Sequence, residues 1–485
     1  RQWAAKGEKF DFASFIPKPV PDDQNFALAP IVASSYQANL AEDKQSLQTT
    51  VPQTGSARKT VKDPLKLEIY GNHSLVRMPT NGLGSWTRGM TADLKVWQNY
   101  YRALVAETNQ FPVSLQPQSP AADVLLALSK YDSTIEELRL AGDRPESRFP
   151  LNYDTNRPMD ILLPQLATLK RCAQVLQLRA LAELQNGQAQ KALEDVTLIL
   201  RLTEAIRTEP FLISHLVRIA MVQIALQPIW EGLAERKWSE AQLAELNQKL
   251  GRLDFLADYE FSMRGERAMS LAMIEHLRRY RDMEGMFETV DPGSDQDGGN
   301  SAVALMAFYL VPGSVFYRNE LTIARMHQQY LLPIVDVQKH LASPQAARQT
   351  GEVVDRMRAH WSPNTLLACL MLPALERMAN KCAYAQSSVD LARVACALER
   401  YRLARGEFPD ALNALSPAFL EKVPHDLING QPLHYRRTPK AGFLVYSVGW
   451  NETDDDGAVV LNKNGRLVDT AQGDWVWPGS ANGNQ

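Results

Sequence analysis

Between about Thr91 and His360 the apolar residues recur at spacings of three and four, with scarcely any of the alternation that a strand requires. Leu94, Trp97, Tyr101 and Leu104 make one such stripe. Ser119-Pro120 opens the next, with proline at the first helical position, Asp123 in the first turn, and Val124, Leu125, Leu128 and Tyr131 behind it. Further stripes cover residues 211–236, 256–283, 319 to about 341, 344–360 and 364 onward, and Ser239-Glu240-Ala241-Gln242 is a capping box. Helix follows helix across short connections. A multi-helix antiparallel bundle is the architecture that buries all of these stripes.

The clearest helical hairpin lies between Met159 and Pro210. Ala180, Leu184, Gly187, Ala192 and Val196 stand where a tetratricopeptide unit places its small and packing residues, with the glycine at the turn. A repeat array needs at least three such units, and only this one matches, so a single hairpin of that type is expected.

Residues 1–80 have little periodicity. Phe15-Ile16-Pro17-Lys18-Pro19-Val20-Pro21 must run extended, and a Gln-, Ser- and Thr-rich stretch continues to Lys62, which predicts an extended arm on the surface of the body. The expected division is thus an arm over 1–80, an all-helical domain over 81–383 and a third part over 384–485.

A chain of 485 residues, 45% apolar and 22% charged, is folded and long enough for several domains. Its net charge of −3 supplies no global field for nucleic acid, and the Lys and Arg residues are scattered among acids, so no nucleic-acid partner is expected. The run over 298–317 is uncharged but begins with Gly-Gly-Asn and is broken by Val311-Pro312-Gly313, so its apolar part is about half of the roughly 20 residues that span a bilayer. Asp291-Pro292-Gly293-Ser294-Asp295-Gln296-Asp297-Gly298-Gly299 reads as a loop. The chain opens on Arg1 and not on Met, so a removed or omitted N-terminal segment is expected, and through it alone a membrane attachment. Cys172, Cys369, Cys382 and Cys396 show no metal spacing. On one continuous helix Cys382 and Cys396 would share a face about 21 Å apart, too far for a disulfide.

After Ser387 the character changes. Leu391, Val394, Ala395, Leu398 and Tyr401 form an apolar face that ends in Arg405-Gly406, a C-cap. Asn429-Gly430 is a turn, and 433–437 and 442–448 read as two strands joined through Thr438-Pro439-Lys440-Ala441. The fold class is therefore mainly α, a helical-hairpin body with a small α+β C-terminal module.

In that module Tyr401-Arg402-Leu403-Ala404-Arg405-Gly406-Glu407-Phe408-Pro409 resembles the "YRxxxGxYP" stretch of type II secretion major pseudopilins. Val423-Pro424-His425-Asp426 with Asn429-Gly430 resembles their "LPxDPWGNPY" step, and Val445-Tyr446-Ser447-Val448-Gly449 their "xxSxG" strand ahead of a calcium loop. The ordered match covers about a fifth of the chain. A helical domain, and not the long hydrophobic helix of a pilin, precedes it, so filament assembly by the pilin route is not expected. As a whole the chain looks like large membrane-anchored verrucomicrobial and planctomycete proteins that end in this module and carry no assigned chemistry to transfer. The resemblance implies a periplasmic or cell-surface location.

It also points to Asn451-Glu452-Thr453-Asp454-Asp455-Asp456-Gly457, with Gly473-Asp474 returning, as a structural calcium site. Calcium takes six to eight oxygen ligands on a flexible loop, which clustered carboxylates beside a glycine can supply. Asp454, Asp456 and Asp474 are the expected side-chain ligands, with Asn451 (where pseudopilins carry aspartate) and Asp455 beside them. No EF-hand spacing is present, and a solvated acidic turn is the competing reading.

GxSxG, HExxH and GxxxxGK[ST] are absent, and Gly82-Leu83-Gly84 lacks the strand–helix context of a phosphate loop. His215, His276 and His327 fall on expected helices and could meet Glu275 or Glu260, whereas Glu260, Arg264, Glu266 and Arg267 have the spacing of helix-surface ion pairs. The sequence favours a non-catalytic extracytoplasmic interaction or scaffold protein, docking a protein partner or itself. The alternative is a hydrolase-type enzyme with its site between helices of the central domain, and behind it a peptide-binding helical groove.

Overall fold

The computed structural model describes residues 3–36, 66–71, 76–79, 82–105, 110–155, 157–281, 310–372, 375, 377–438, 442–465 and 467–479. The expected loop over 291–299, most of the uncharged run over 298–317, and the turn residues 439–441 lie outside them. The molecule is mainly α, with a small C-terminal α+β part.

The helices are α1 (Leu94–Val105), α2 (Pro120–Leu128), α3 (Asp132–Gly142), α4 (Pro164–Gln185), α5 (Ala189–Ala205), α6 (Leu212–Ala234), α7 (Glu240–Leu250), α8 (Phe255–Tyr280), α9 (Gly313–Met326), α10 (Pro344–Ala359), α11 (Leu366–Met371) and α12 (Met378–Arg405). Their ends follow local chemistry. Ser119 accepts from the Ala122 N–H at the start of α2, and Ser239 and Gln242 form the reciprocal capping box of α7. α4 and α5 are the expected hairpin, packed along their length, with Gly187 at φ 74° in the turn.

Helix α6 is long and apolar enough to cross a membrane by length and composition. Here it is a core helix, packed against α4, α5, α8 and α12. The helix expected over 319–341 stops early. α9 ends at Met326, a π-turn covers His327–Leu331, and Pro333 takes the chain into a small hairpin of β1 (Val335–Asp336) and β2 (Leu341–Ala342). Proline lacks the N–H that a continuing helix needs.

The N-terminal residues do more than lie on the surface. Phe26, Ala27, Ala29 and Val32 are fully buried in the main core, and Phe12 and Phe15 pack in a second cluster with Phe211 and Met269. Glu8 reaches Arg264 and the fully buried Arg267 at 3.1 and 2.8 Å. Against the cost of burial, hydrogen bonds from these two guanidiniums hold its carboxyl down at about 2. The arginine pairs expected on a helix surface thus anchor this segment.

Beyond α12 come β3 (His434–Thr438), β4 (Gly442–Ser447), β5 (Val459–Leu461), β6 (Val468–Gly473) and β7 (Trp475–Trp477). β3, β4 and β7 form an antiparallel sheet in that order, and β5 pairs with β6. The twenty-eight residues of α12 lie against α6, α7 and α8 and also against β4, β6 and β7. One continuous core therefore runs from Phe26 through the bundle to Trp475 and Trp477. The indoles of Trp86 and Trp477 meet at 5.3 Å, and Trp230 donates its indole N–H to the Pro478 carbonyl at 3.0 Å.

Candidate functional site

The acidic segment begins where β4 leaves the sheet. Asp426, fully buried, accepts from Ser447 Oγ, the Val448 N–H and the Ile428 N–H, each at 2.9 Å. It pins the end of β4 to the turn that carries Asn429-Gly430. Gly449 follows at φ 69°, and a Cβ there would stand 2.3 Å from the Gly473 carbonyl, so only glycine lets the two ends of the loop come this close.

Residues 451–457 then fold over Asp474. Its buried carboxylate accepts the Gly457 N–H at 2.7 Å and the Asp455 N–H at 3.1 Å, while burial pushes its pKa up. Asn451 donates to Asp455 Oδ2 at 2.8 Å. Asp454 accepts from the Asp456 N–H and the Tyr446 hydroxyl, both at 3.0 Å, and faces His434 Nδ1 at 3.4 Å. Those two hydrogen bonds hold its carboxyl below the usual range. Asp456, left-handed at φ 58°, pairs with Arg436 of β3.

All five expected ligands are thus gathered in one loop, but their oxygens do not converge. Asp474 points at backbone amides, Asp456 at a guanidinium and Asp454 at an imidazole and a phenol. Among the described residues no three His, Cys, Asp or Glu groups are placed to hold a metal ion together. An ion at this loop would compete with Arg436 for Asp456 and with His434 for Asp454. Arg436, His434 and Tyr446 escaped the sequence reading because they lie across the hairpin, and only the strand pairing brings them to the loop.

The histidines of the body also stay apart. His215 Nε2 lies 3.1 Å from Cys382 Sγ, both buried, and burial pushes the imidazole pKa down and the thiol pKa up. Burial of this kind disfavours the thiolate that nucleophilic chemistry uses. His327 Nδ1 faces the Ile323 carbonyl at 3.0 Å within its own helical segment, and burial lowers its pKa to about 4. His276 borders an open cavity of about 670 Å³ with Arg148, Asp154 and Glu275. Gly82 and Gly84 are packing positions, closed over by Trp97 and Gln227. All four cysteines are free.

The buried carboxyls had little signature along the chain. Glu209 receives hydrogen bonds from Gln165 and Ser214, and Glu231 from Gln227 and the Ala92 N–H. Burial raises both to about 7. A glutamate on a helix as apolar as α6 was the available signal for Glu231. No family model, curated protein or solved structure matches the chain.

Proposed function

We propose that the protein is a non-catalytic extracytoplasmic interaction or scaffold protein, docking a protein partner or a second copy of itself through its C-terminal sheet. The supporting observation is the open edge of that sheet. β3 is one of its two edge strands, with no strand neighbour beyond it among the described residues. Arg436 and Arg437 of β3 are exposed but already engaged, by Asp456 and by Glu407 and Asp410, so the side chains are held beside a backbone edge that no described strand pairs with. An extended segment can add to such an edge through main-chain hydrogen bonds. The pseudopilin resemblance supports the extracytoplasmic placement. Calcium enters this reading as an ion able to compete with Arg436 and His434 for the acidic loop.

Self-docking is tested by sedimentation over a range of concentrations, together with Arg437→Cys under mild oxidation. Antiparallel pairing of β3 with β3 predicts concentration-dependent dimers and a disulfide-linked dimer in the variant. A chain that stays monomeric and fails to cross-link leaves the edge to a different partner strand.

A further inference from the structure

Helices α6, α8 and α11, together with the segment around Pro158–Leu163, enclose a cavity of about 500 Å³. Volumes of this order suit a small organic ligand, and most such sites are apolar with one or two placed polar groups. This one follows that rule closely. Every side chain on its described wall is apolar except Glu266. Four are methionines, Met159, Met269, Met273 and Met371, whose unbranched thioethers adapt to ligands of varied outline. Ile213 and Leu370 stand about half exposed at its mouth, so the apolar wall continues to the surface.

The polar group has a structural reason to be there. Gly265 lets the Pro210 carbonyl approach to a point 2.2 Å from where a Cβ would sit, which seats the start of α6 on α8. The carboxyl of the next residue, Glu266, then faces the first N–H of α6, that of Leu212. Among the described residues that amide is its one evident partner, and burial raises the carboxyl to about 7. A carboxylate in apolar surroundings is costly until a cation pairs with it. An occupant that brings both an apolar body and a positive end satisfies the wall and the carboxylate together.

We propose that this cavity is a binding site for a small aliphatic amine, with its alkyl chain against the methionine-rich wall and its ammonium on the Glu266 carboxylate. Charge complementarity selects the amine over an alcohol or an acid of the same length. Binding drives Glu266 to its ionised form, so a proton is released for the fraction of molecules in which it was protonated.

The test is calorimetric titration of the full chain with decylamine, decanol and decanoate below their aggregation limits. Decylamine is expected to bind one to one, at least tenfold tighter than decanoate, with a heat at pH 6 that changes with the ionisation enthalpy of the buffer. Glu266→Gln should weaken decylamine at least tenfold, leave decanol unchanged and abolish the buffer dependence. Leu370→Lys, at an exposed position, should weaken decylamine with the circular dichroism and melting temperature of the native chain, which keeps the test intact if Glu266→Gln folds poorly. Equal affinities for decylamine and decanoate, or no saturable binding of decylamine, would overturn the proposal.

Discussion

In the helical body Glu209 and Glu231 are buried beside amides and a hydroxyl, Glu266 lines an apolar cavity, and burial raises each to about 7. In the C-terminal loop Asp454 and Asp456 lie in water and face His434 and Arg436. The same functional group thus meets neutral donors at these sites of the body and cations in the loop. The body pairs a buried carboxyl with arginine where its helices supply one, Asp195 with Arg179 and Asp258 with Arg207, whereas the hairpin places strand cations opposite an exposed loop.

The seam between the regions should give the largest effect. Trp477→Ala removes a buried indole from the contact with Trp86 and should cost about 4 kcal/mol. In urea, far-ultraviolet dichroism and tryptophan fluorescence should shift together; a helical transition that stays in place would divide the core in two. Asp426→Ala strips the acceptor from three donors and should cost about 3 kcal/mol, with Asp426→Asn costing less, as read from the same unfolding curves.

The buried carboxyls predict a pH slope. A glutamate raised from 4.5 to about 7 in the folded state binds more protons there than in the unfolded chain. Its contribution is complete below pH 4.5 and is lost as the pH rises through 7. Melting temperature should therefore fall between pH 5 and pH 8. Glu209→Gln, which can still accept from Gln165 and donate to Ser214, should recover a few degrees at pH 8 and flatten the slope. A slope identical to that of the native chain would remove Glu209 from the account.

Ser239→Ala, a cap within the body, should lower stability by about 1 kcal/mol in urea titration. The smallest effect concerns the loop. Arg436→Ala frees Asp456, so added calcium should raise the melting temperature of the variant by a few degrees and that of the native chain by less. Equal shifts would mean that arginine and ion do not compete. No shift in either would leave a hydrogen-bonded acidic turn.

What could be read in advance was local. Ser119 and Ser239 as caps, Gly187 in the hairpin turn, the end of α12 at Arg405-Gly406 and the two long strands of the C-terminal sheet all follow from residues within a few positions of one another. The break after Met326 was legible in Pro333, but the apolar spacing on both sides concealed it. The cations that meet Asp454 and Asp456, and the cavity around Glu266, depend on pairings across the fold that no spacing along the chain specifies. The burial of Phe26 and the clamp on Glu8 were hidden for the same reason, since a segment without periodicity does not announce what it packs against.

Helix α12 has a mechanical consequence. At 1.5 Å per residue its twenty-eight residues span about 42 Å, unbroken, with the bundle on part of its surface and the sheet on the rest. It acts as a beam shared by both. A partner that engaged the edge of β3 and pulled would load β4 first and then, through α12, the bundle itself. Force on the small sheet is therefore resisted by the whole body, as an anchorage point requires.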